Sequence, residues 1–148
     1  MGKKLPIGIQ SFEKLRSEGY CYIDKTSHIY NMVSEGCYYF LSRPRRFGKS
    51  LFLNTLESYF LGKKELFEGL AIAELEHDWT EYPVLHLDLN TEKYSSPESL
   101  DRILNDYLCR WEDLYGSNAS EKSLGLRFMG IIRRAYEKTG RPRSSPPI

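Results

Sequence analysis

Residues 40–50 form a basic stretch that reads Phe40-Leu41-Ser42-Arg43-Pro44-Arg45-Arg46-Phe47-Gly48-Lys49-Ser50. It ends in Gly-Lys-Ser, the closing half of the phosphate-binding pattern G-x-x-x-x-G-K-[ST]. An apolar segment, residues 37–41, precedes it, and apolar residues at helical spacing follow it from Phe52 to Phe60. A strand, a loop and a helix in this order are the context that a phosphate-binding loop (P-loop) requires. The stretch therefore predicts a P-loop between a strand at residues 37–42 and a helix at residues 49–61.

The residue types in this loop suit the binding of a polyphosphate. Backbone N–H groups of such a loop and of the first helical turn converge on an anion. Lys49 would reach the outer phosphates as a point charge, and the Ser50 hydroxyl would be the protein ligand of Mg²⁺. The predicted cofactors are therefore Mg²⁺ and a polyphosphate such as ATP. The predicted site comprises Arg45, Arg46, Phe47, Gly48, Lys49, Ser50 and Leu51.

The loop departs from the full pattern at one position, because Arg43 stands where the first glycine belongs. A bare Gly-Lys-Ser also occurs by chance, so a basic loop without phosphate binding is the alternative. Three arginines, Arg43, Arg45 and Arg46, could pair with phosphate oxygens, which guanidinium groups match well. Solvation or ion pairs with surface carboxylates would explain the same arginines, and the residues alone leave both interpretations open.

Several ordered blocks of the chain resemble a bacterial family described as AAA-ATPase-like. Residues 42–50 are similar to its variant P-loop, in which arginine at the first glycine position is normal. The other similar blocks are residues 8–16, 22–26, 67–70 and 82–88. The resemblance runs from about Leu5 to about Gly140. It implies a P-loop ATPase domain, which in many relatives is joined to a C-terminal nuclease-like domain of the PD-(D/E)XK type.

Apolar periodicity and capping residues divide the chain into alternating elements. Helices are predicted at residues 11–17, 26–34, 49–61, 96–114 and 123–138, and strands at residues 37–42 and 83–89. Residues 20–23 are predicted to form a short strand or an extended segment. This alternation predicts an α/β fold, a P-loop NTPase-type parallel sheet with helices on both faces, of which only part is present. The predicted domains are a family-specific segment at residues 1–35, a partial P-loop ATPase core at 36–140 and a non-homologous or disordered tail at 141–148.

Asp88 is the candidate for a second catalytic motif. It follows an apolar run, so it would either hold Mg²⁺ through water as a Walker B carboxylate or end a structural strand. The resemblance favours the structural role, because it implies an acidic Walker B strand after the helix at residues 123–138. Residues 141–148 contain adjacent prolines and no acidic residue, so they cannot form that strand. We therefore expect an N-terminal fragment that lacks the hydrolytic half and is nearly inactive as an ATPase alone.

Composition restricts the other classes of function. The chain has 148 residues, 41% hydrophobic and 28% charged, which fits a globular domain. A net charge of +1 does not indicate nucleic-acid binding. No apolar run reaches the length that crossing a membrane requires. Three widely spaced cysteines, Cys21, Cys37 and Cys109, suit reduced thiols and a cytoplasmic location.

Two functions remain open at this stage. The first is an ATP-binding module that lacks its hydrolytic half, with self-association as a possible consequence of exposed strand edges and helix faces. The alternative is a non-catalytic α/β remnant or interaction domain that binds no nucleotide. Within the block at residues 22–26, Asp24, Lys25 and Thr26 are predicted to cap a helix in preference to contacting nucleotide.

Overall fold

The computed structural model describes residues 4–36, 38–44, 47–90 and 96–139. Its helices are α1 (Phe12–Ser17), α2 (Thr26–Glu35), α3 (Lys49–Phe60), α4 (Ala71–Leu75), α5 (Pro97–Tyr115) and α6 (Leu124–Thr139), with a 3₁₀ turn at Lys64–Phe67 between α3 and α4. The described chain divides into two compact units, residues 4–84 and residues 85–139. Each unit has its own apolar core. None of the described helices combines the length and the hydropathy that crossing a membrane requires.

The prediction of an α/β parallel sheet is wrong. Within the described ranges the secondary structure is helical, and residues 20–23, 38–42 and 83–89 connect helices without forming strands. Tyr38 and Phe40, in the segment that precedes the loop, are 97% and 93% exposed. An apolar run becomes a buried parallel strand only where other strands pair with it and helices cover its faces. Tyr38 and Phe40 have no such cover, and Leu41 of this segment is half-buried against the core of the first unit. Cys37, the first residue of the predicted strand, lies outside the described residues.

The predicted helices are confirmed close to their expected bounds. α5 begins with Pro97 after Ser96, the N-cap residue, as the sequence indicates. The sequence analysis missed the 3₁₀ turn and α4, because four and five residues are too short to show helical periodicity. The proposed boundaries at residues 35 and 140 remain predictions, and residues 141–148 lie outside the described part of the chain.

The core of the first unit is centred on Phe12, which is fully buried. Its ring lies 5.2 Å from the ring of Tyr22 and 4.9 Å from that of Phe67, measured between centroids. Its backbone N–H donates to the side-chain oxygen of Asn54, at 2.6 Å, so the start of α1 is joined to α3. The buried residues of this core are Phe12, Ile29, Phe52, Tyr59, Leu66, Phe67, Leu70 and Ile72.

Arg16 joins α1 to the turn that follows α3. Its Nε donates to the carbonyl of Leu66 at 2.7 Å, and its Nη2 donates to the carbonyl of Glu68 at 2.5 Å. Hydrogen bonds from a charged group to carbonyls are stronger than neutral ones. They satisfy acceptors that the short 3₁₀ turn leaves unpaired.

Asp24 and Thr26 serve the N-termini of two helices at once. The Asp24 carboxylate accepts the backbone N–H and the hydroxyl of Thr26, at 2.9 and 2.7 Å, where α2 begins. Its second oxygen accepts the N–H of Ala71 at 2.7 Å, and the Thr26 hydroxyl oxygen accepts the N–H of Ile72 at 3.1 Å. Asp24 therefore accepts backbone N–H groups of both α2 and α4, which confirms its predicted role at the start of α2. Thr26 serves α4 alone, and Lys25, the N-cap residue of α2, makes no side-chain hydrogen bond there.

The second unit is a hairpin of α5 and α6 packed around Leu108, Trp111 and Ile131. Arg127 of α6 binds Glu112 of α5 through two hydrogen bonds of 2.7 Å each. Hydrogen bonding from this guanidinium holds the pKa of Glu112 below its ordinary value, although burial opposes the shift. The two helices are thus joined by an apolar core and by a bidentate ion pair.

Gly130 is needed for the close approach of Glu121 to α6. A Cβ atom at position 130 would lie 2.0 Å from Oε1 of Glu121. That carboxylate is held by two hydrogen bonds from Arg134, of 2.7 and 3.1 Å. A side chain at position 130 would therefore displace Glu121 from Arg134.

We expect Asp24→Ala to lower the free energy of unfolding by about 1–2 kcal/mol, because it removes acceptors from two helix N-termini. Chemical denaturation followed by circular dichroism measures this change. Asp113→Ala is the matched control, since Asp113 is exposed on α5 and lies far in sequence from both helix N-termini. The control should change stability by about 0.5 kcal/mol or less.

The effect of Asp24→Ala should also depend on pH. Burial raises the pKa of Asp24, but hydrogen bonds from Ala71 and Thr26 outweigh it and place the pKa below its ordinary value. Ionised Asp24 therefore stabilises the folded state fully above the unfolded-state pKa of about 3.9, and this stabilisation is lost as pH falls through the folded-state pKa. The difference between wild type and variant should be constant near neutral pH and shrink in acid. A difference that grows on acidification would contradict this role.

We expect Gly130→Ala to have different effects in two backgrounds. In a Glu121→Ala background it should stabilise the chain by about 1 kcal/mol, since alanine is the better helix former. In the wild-type chain the displaced Glu121 carboxylate should cancel or reverse that gain. A double-mutant cycle measured by denaturation tests the coupling, and equal effects in the two backgrounds would show that Gly130 does not accommodate Glu121.

Candidate functional site

The loop before α3 ends in a glycine with an unusual backbone conformation. Gly48, the N-cap of α3, has a φ of 74°, in the left-handed region that glycine adopts readily. An added Cβ would meet no atom within 4 Å, so the backbone conformation, and not space, favours glycine here. The first N–H groups of a helix have no partner within it, and Gly48 provides no side chain to accept them. α3 therefore begins with backbone donors that an anion could accept.

Lys49 joins the two ends of this loop. Its Nζ donates to the backbone carbonyl of Arg43 at 2.7 Å. Arg43 in turn lies over the ring of Phe52, 5.9 Å from its centroid, and its Nη1 lies 3.5 Å from the carbonyl of Phe47. The loop thus brings one lysine and one arginine side chain to the start of α3.

Three of the other predicted site residues lie in the described part of the chain, and two lie outside it. Phe47 and Ser50 are exposed, and Leu51 is half-buried against the core of the first unit. The exposed Ser50 hydroxyl in the first turn of α3 has the chemistry of a Mg²⁺ ligand. Arg45 and Arg46 lie outside the described residues, so their predicted role remains a prediction.

A cleft of about 370 Å³ opens beside the loop. Its walls are residues 5–6, 21–23, 47–48 and 51–52, with Leu15, Lys25 and Arg43. The lining is mostly apolar, with two cationic side chains and no acidic one. The uncapped start of α3 and a mostly apolar cavity therefore lie next to each other within the first unit.

Tyr22 forms an uncharged part of this cleft wall. Burial raises the pKa of its phenol, and a side-chain hydrogen bond with Thr55 opposes the shift in part. The phenol therefore stays protonated well beyond neutral pH. Tyr22 therefore adds no negative charge to the cleft wall.

The three residues Asp24, Lys25 and Thr26 separate into two roles. Asp24 and Thr26 accept the N–H groups of helix starts, whereas Lys25 lines the cleft. The sequence analysis treated the three as one capping group. It also missed the rest of the wall at residues 5–6 and 21–23. The family-like block at residues 22–26 is a signal that could have identified part of this wall.

Asp88 lies in the second unit and has a local role. Its carboxylate accepts the backbone N–H of Asn90 at 2.9 Å and the side-chain amide of Asn90 at 3.1 Å. These hydrogen bonds lower the pKa of Asp88. The hydroxyl of Tyr107 lies 3.1 Å from the backbone carbonyl of Asp88, so this turn is held to α5. The strand that Asp88 was predicted to end does not form, and the carboxylate instead closes a turn.

Comparison with known proteins gives one family and one curated relative. The model of the AAA-ATPase-like family, described as predicted AAA-ATPase, matches residues 6–143. A protein of Azotobacter chroococcum mcd 1, described as an uncharacterized protein in the vnfD 5′ region, is 39% identical over 140 residues. That match covers 93% of this chain and 27% of the relative, so the chain spans about a quarter of the relative's length. No solved structure matches the chain significantly.

Proposed function

Because this chain belongs to the AAA-ATPase-like family, we propose that it is a nucleotide-binding module that holds the phosphates of Mg²⁺-ATP at residues 43–51. The observation that carries this proposal is the start of α3. Gly48 adopts the left-handed conformation there, and the lysine that follows it is joined to the start of the same loop. A 12-residue helix whose N-terminus lacks a side-chain cap provides donors and a favourable dipole for an anion.

Each residue of the loop has a distinct part in this proposal. The backbone N–H groups at the start of α3 would bind phosphate oxygens, and the Lys49 ammonium would neutralise their charge. Ser50 would hold the Mg²⁺ that ATP carries, and the ion would neutralise charge on the outer phosphates. Arg43, Arg45 and Arg46 would add guanidinium groups, which pair with phosphate in two-donor geometry.

Hydrolysis is a separate proposal that concerns a longer protein. Phosphoryl transfer needs a residue that orients the attacking water in addition to a phosphate site, and no acidic side chain lines the described cleft. The chain spans 27% of its curated relative. ATP hydrolysis, and a nuclease-like domain of the kind that the resemblance implies, are therefore proposed for a whole protein and not for these residues alone.

We expect Lys49→Ala to weaken the binding of Mg²⁺-ATP at least tenfold. Hydrogen bonds to charged groups contribute about 1.5–3 kcal/mol, and about 1.4 kcal/mol corresponds to a factor of ten. Isothermal titration calorimetry measures the dissociation constant. Lys64→Ala is the matched control, because Lys64 is exposed and lies in the 3₁₀ turn. It should leave the affinity unchanged.

A second variant separates charge from loop structure. Lys49 also donates to the carbonyl of Arg43, so its removal could loosen the loop. Lys49→Gln keeps an uncharged donor at this position, and it should still bind ATP much more weakly than wild type. Thermal unfolding of all three chains shows whether they are equally folded. Equal ATP affinity in wild type and both variants would contradict the proposed site.

An interaction module is the second candidate function, and the uncovered face of α6 favours it. The exposed apolar residues of this helix are Leu126, Phe128, Met129, Ile132 and Tyr136. Arg133 and Glu137, one turn apart on the exposed side, could pair with each other across two antiparallel copies. We therefore propose self-association through α6, which would bury part of this apolar surface.

We expect the wild-type chain to form dimers at high protein concentration and Ile132→Lys to shift it towards monomer. A charge placed in an apolar contact between copies is costly to desolvate. Sedimentation equilibrium measures the association constant. Asp113→Lys, a charge change at an exposed position of α5, is the control and should retain the wild-type constant. A monomeric wild-type chain throughout the accessible concentration range would exclude this association.

A further inference from the structure

We infer that the second unit contains a ligand site of its own, a cleft at the α5–α6 hairpin that binds a small, uncharged aromatic molecule. We call it the hairpin cleft. Its walls come from Leu87, from Leu104, Leu108 and Trp111 of α5, and from the first two residues of α6 together with Phe128. The inference goes beyond the proposed function, because the residues that line the hairpin cleft belong neither to the phosphate loop nor to the cleft beside it.

The lining of the hairpin cleft determines the chemistry of its ligand. It consists of leucine, tryptophan, phenylalanine and glycine. Among the described residues that form it, the indole nitrogen of Trp111 is the one polar side-chain atom. A polar group that enters such a surface loses its hydration with little return, whereas an apolar group gains dispersion contacts. The bound part of the ligand is therefore a hydrocarbon surface, and not a phosphate, a sugar or a charged amine.

The volume of the hairpin cleft and its two aromatic side chains favour a ring. The volume is about 220 Å³, and apolar cavities of about 150 Å³ lined by Leu, Ile and Phe bind benzene. The hairpin cleft therefore accommodates one ring or two fused rings. The rings of Trp111 and Phe128, which both line it, lie 6.0 Å apart between centroids with an angle of 42° between their planes. Aromatic rings at such distances attract one another beyond the burial of area, so an aromatic ligand is favoured over an aliphatic one.

The hairpin cleft has buried residues at its base and exposed residues at its opening. Leu108 and Trp111 are 3% and 8% exposed, whereas Leu87 and Phe128 are 41% and 40% exposed. A flat ring would therefore enter past Leu87 and Phe128 and pack against Trp111. Polar substituents of the ligand would remain in solvent at the opening.

Gly125 leaves space on α6 that the described chain does not fill. A Cβ atom at this position would meet no atom within 4 Å, and Gly125 is not one of the glycines with a positive φ. It differs in this from Gly130, which accommodates Glu121, and from Gly48, which has a left-handed backbone. Within the described residues, neither packing nor backbone conformation requires glycine at position 125. A glycine in the wall of a cleft allows a ligand to approach the backbone closely, and this is the role of Gly125 here.

The two tryptophans of the chain provide a test with an internal control. Trp111 lines the hairpin cleft, and Trp79 packs against the core of the first unit. The experiment uses the full chain labelled with ¹⁵N and follows the two indole N–H signals in ¹H–¹⁵N NMR spectra. Trp79→Phe assigns them. The probes are indole and purine, which share a fused two-ring skeleton and differ in the number of ring nitrogens.

We expect indole to shift the Trp111 signal through its ring current and to leave the Trp79 signal unchanged. Purine should bind about tenfold more weakly or less, because its ring nitrogens lose their hydration in the hairpin cleft. A constant Trp111 signal up to the solubility limit of indole would overturn this inference, and so would equal affinities for indole and purine. Indole affinity that falls as the protein concentration rises would show that a second copy of the chain occupies the hairpin cleft, and would likewise overturn the ligand site.

Variants of Gly125 test the location of the site. Gly125→Leu should weaken indole about tenfold or more, because the added side chain occupies the space of the ring. Gly125→Ala should weaken it less. Ile132→Ala, at an exposed position of α6 outside the lining, is the control and should keep the wild-type affinity. Circular dichroism shows whether each variant is folded. Wild-type indole affinity in folded Gly125→Leu would contradict the site, and where that variant does not fold, wild-type affinity in Gly125→Ala carries the same conclusion.

Discussion

The carboxylate of Asp24 and the hydroxyl of Thr26 accept backbone N–H groups from the starts of two helices, and the first unit depends on this arrangement. Helix N-termini leave donors that must find partners. α4 has only five residues, too few to form a stable helix alone. Its attachment to Asp24 and Thr26 keeps Ile72 in the core, where that side chain is fully buried.

The blocks that resemble the AAA-ATPase-like family are also blocks that contact one another. Phe12, from the first block, packs against Tyr22 and against Phe67, each from a later block. Arg16 donates to the carbonyls around the 3₁₀ turn, and Asp24 accepts from the start of α4. Similarity along the chain therefore reflects a packed unit as well as a loop. The same unit places the upstream segments beside Gly48, where they form one wall of the cleft.

The proposed site combines two kinds of physical interaction. The first kind is electrostatic: backbone donors at the start of α3 and the cations near them attract an anion. They would bind phosphate whatever base is attached to it. The cleft acts through apolar contact, and its wall comes from segments distant in sequence from the loop. Lys25 lines the cleft and follows the capping residue Asp24 in the chain. Folding of the first unit is thus a precondition for both parts of the site.

Local sequence patterns were sufficient to predict the longer helices and the position of the loop. Their periodicity, the Ser96-Pro97 start of α5 and the glycine before Lys49 act over a few neighbouring residues, so local rules are sufficient to predict them. Tertiary structure decided the rest. The apolar run at residues 38–42 forms no strand, because a strand needs partners from elsewhere in the chain. α4 and the cleft wall likewise depend on contacts between distant residues, such as Asp24 with Ala71, and no local pattern encodes such contacts.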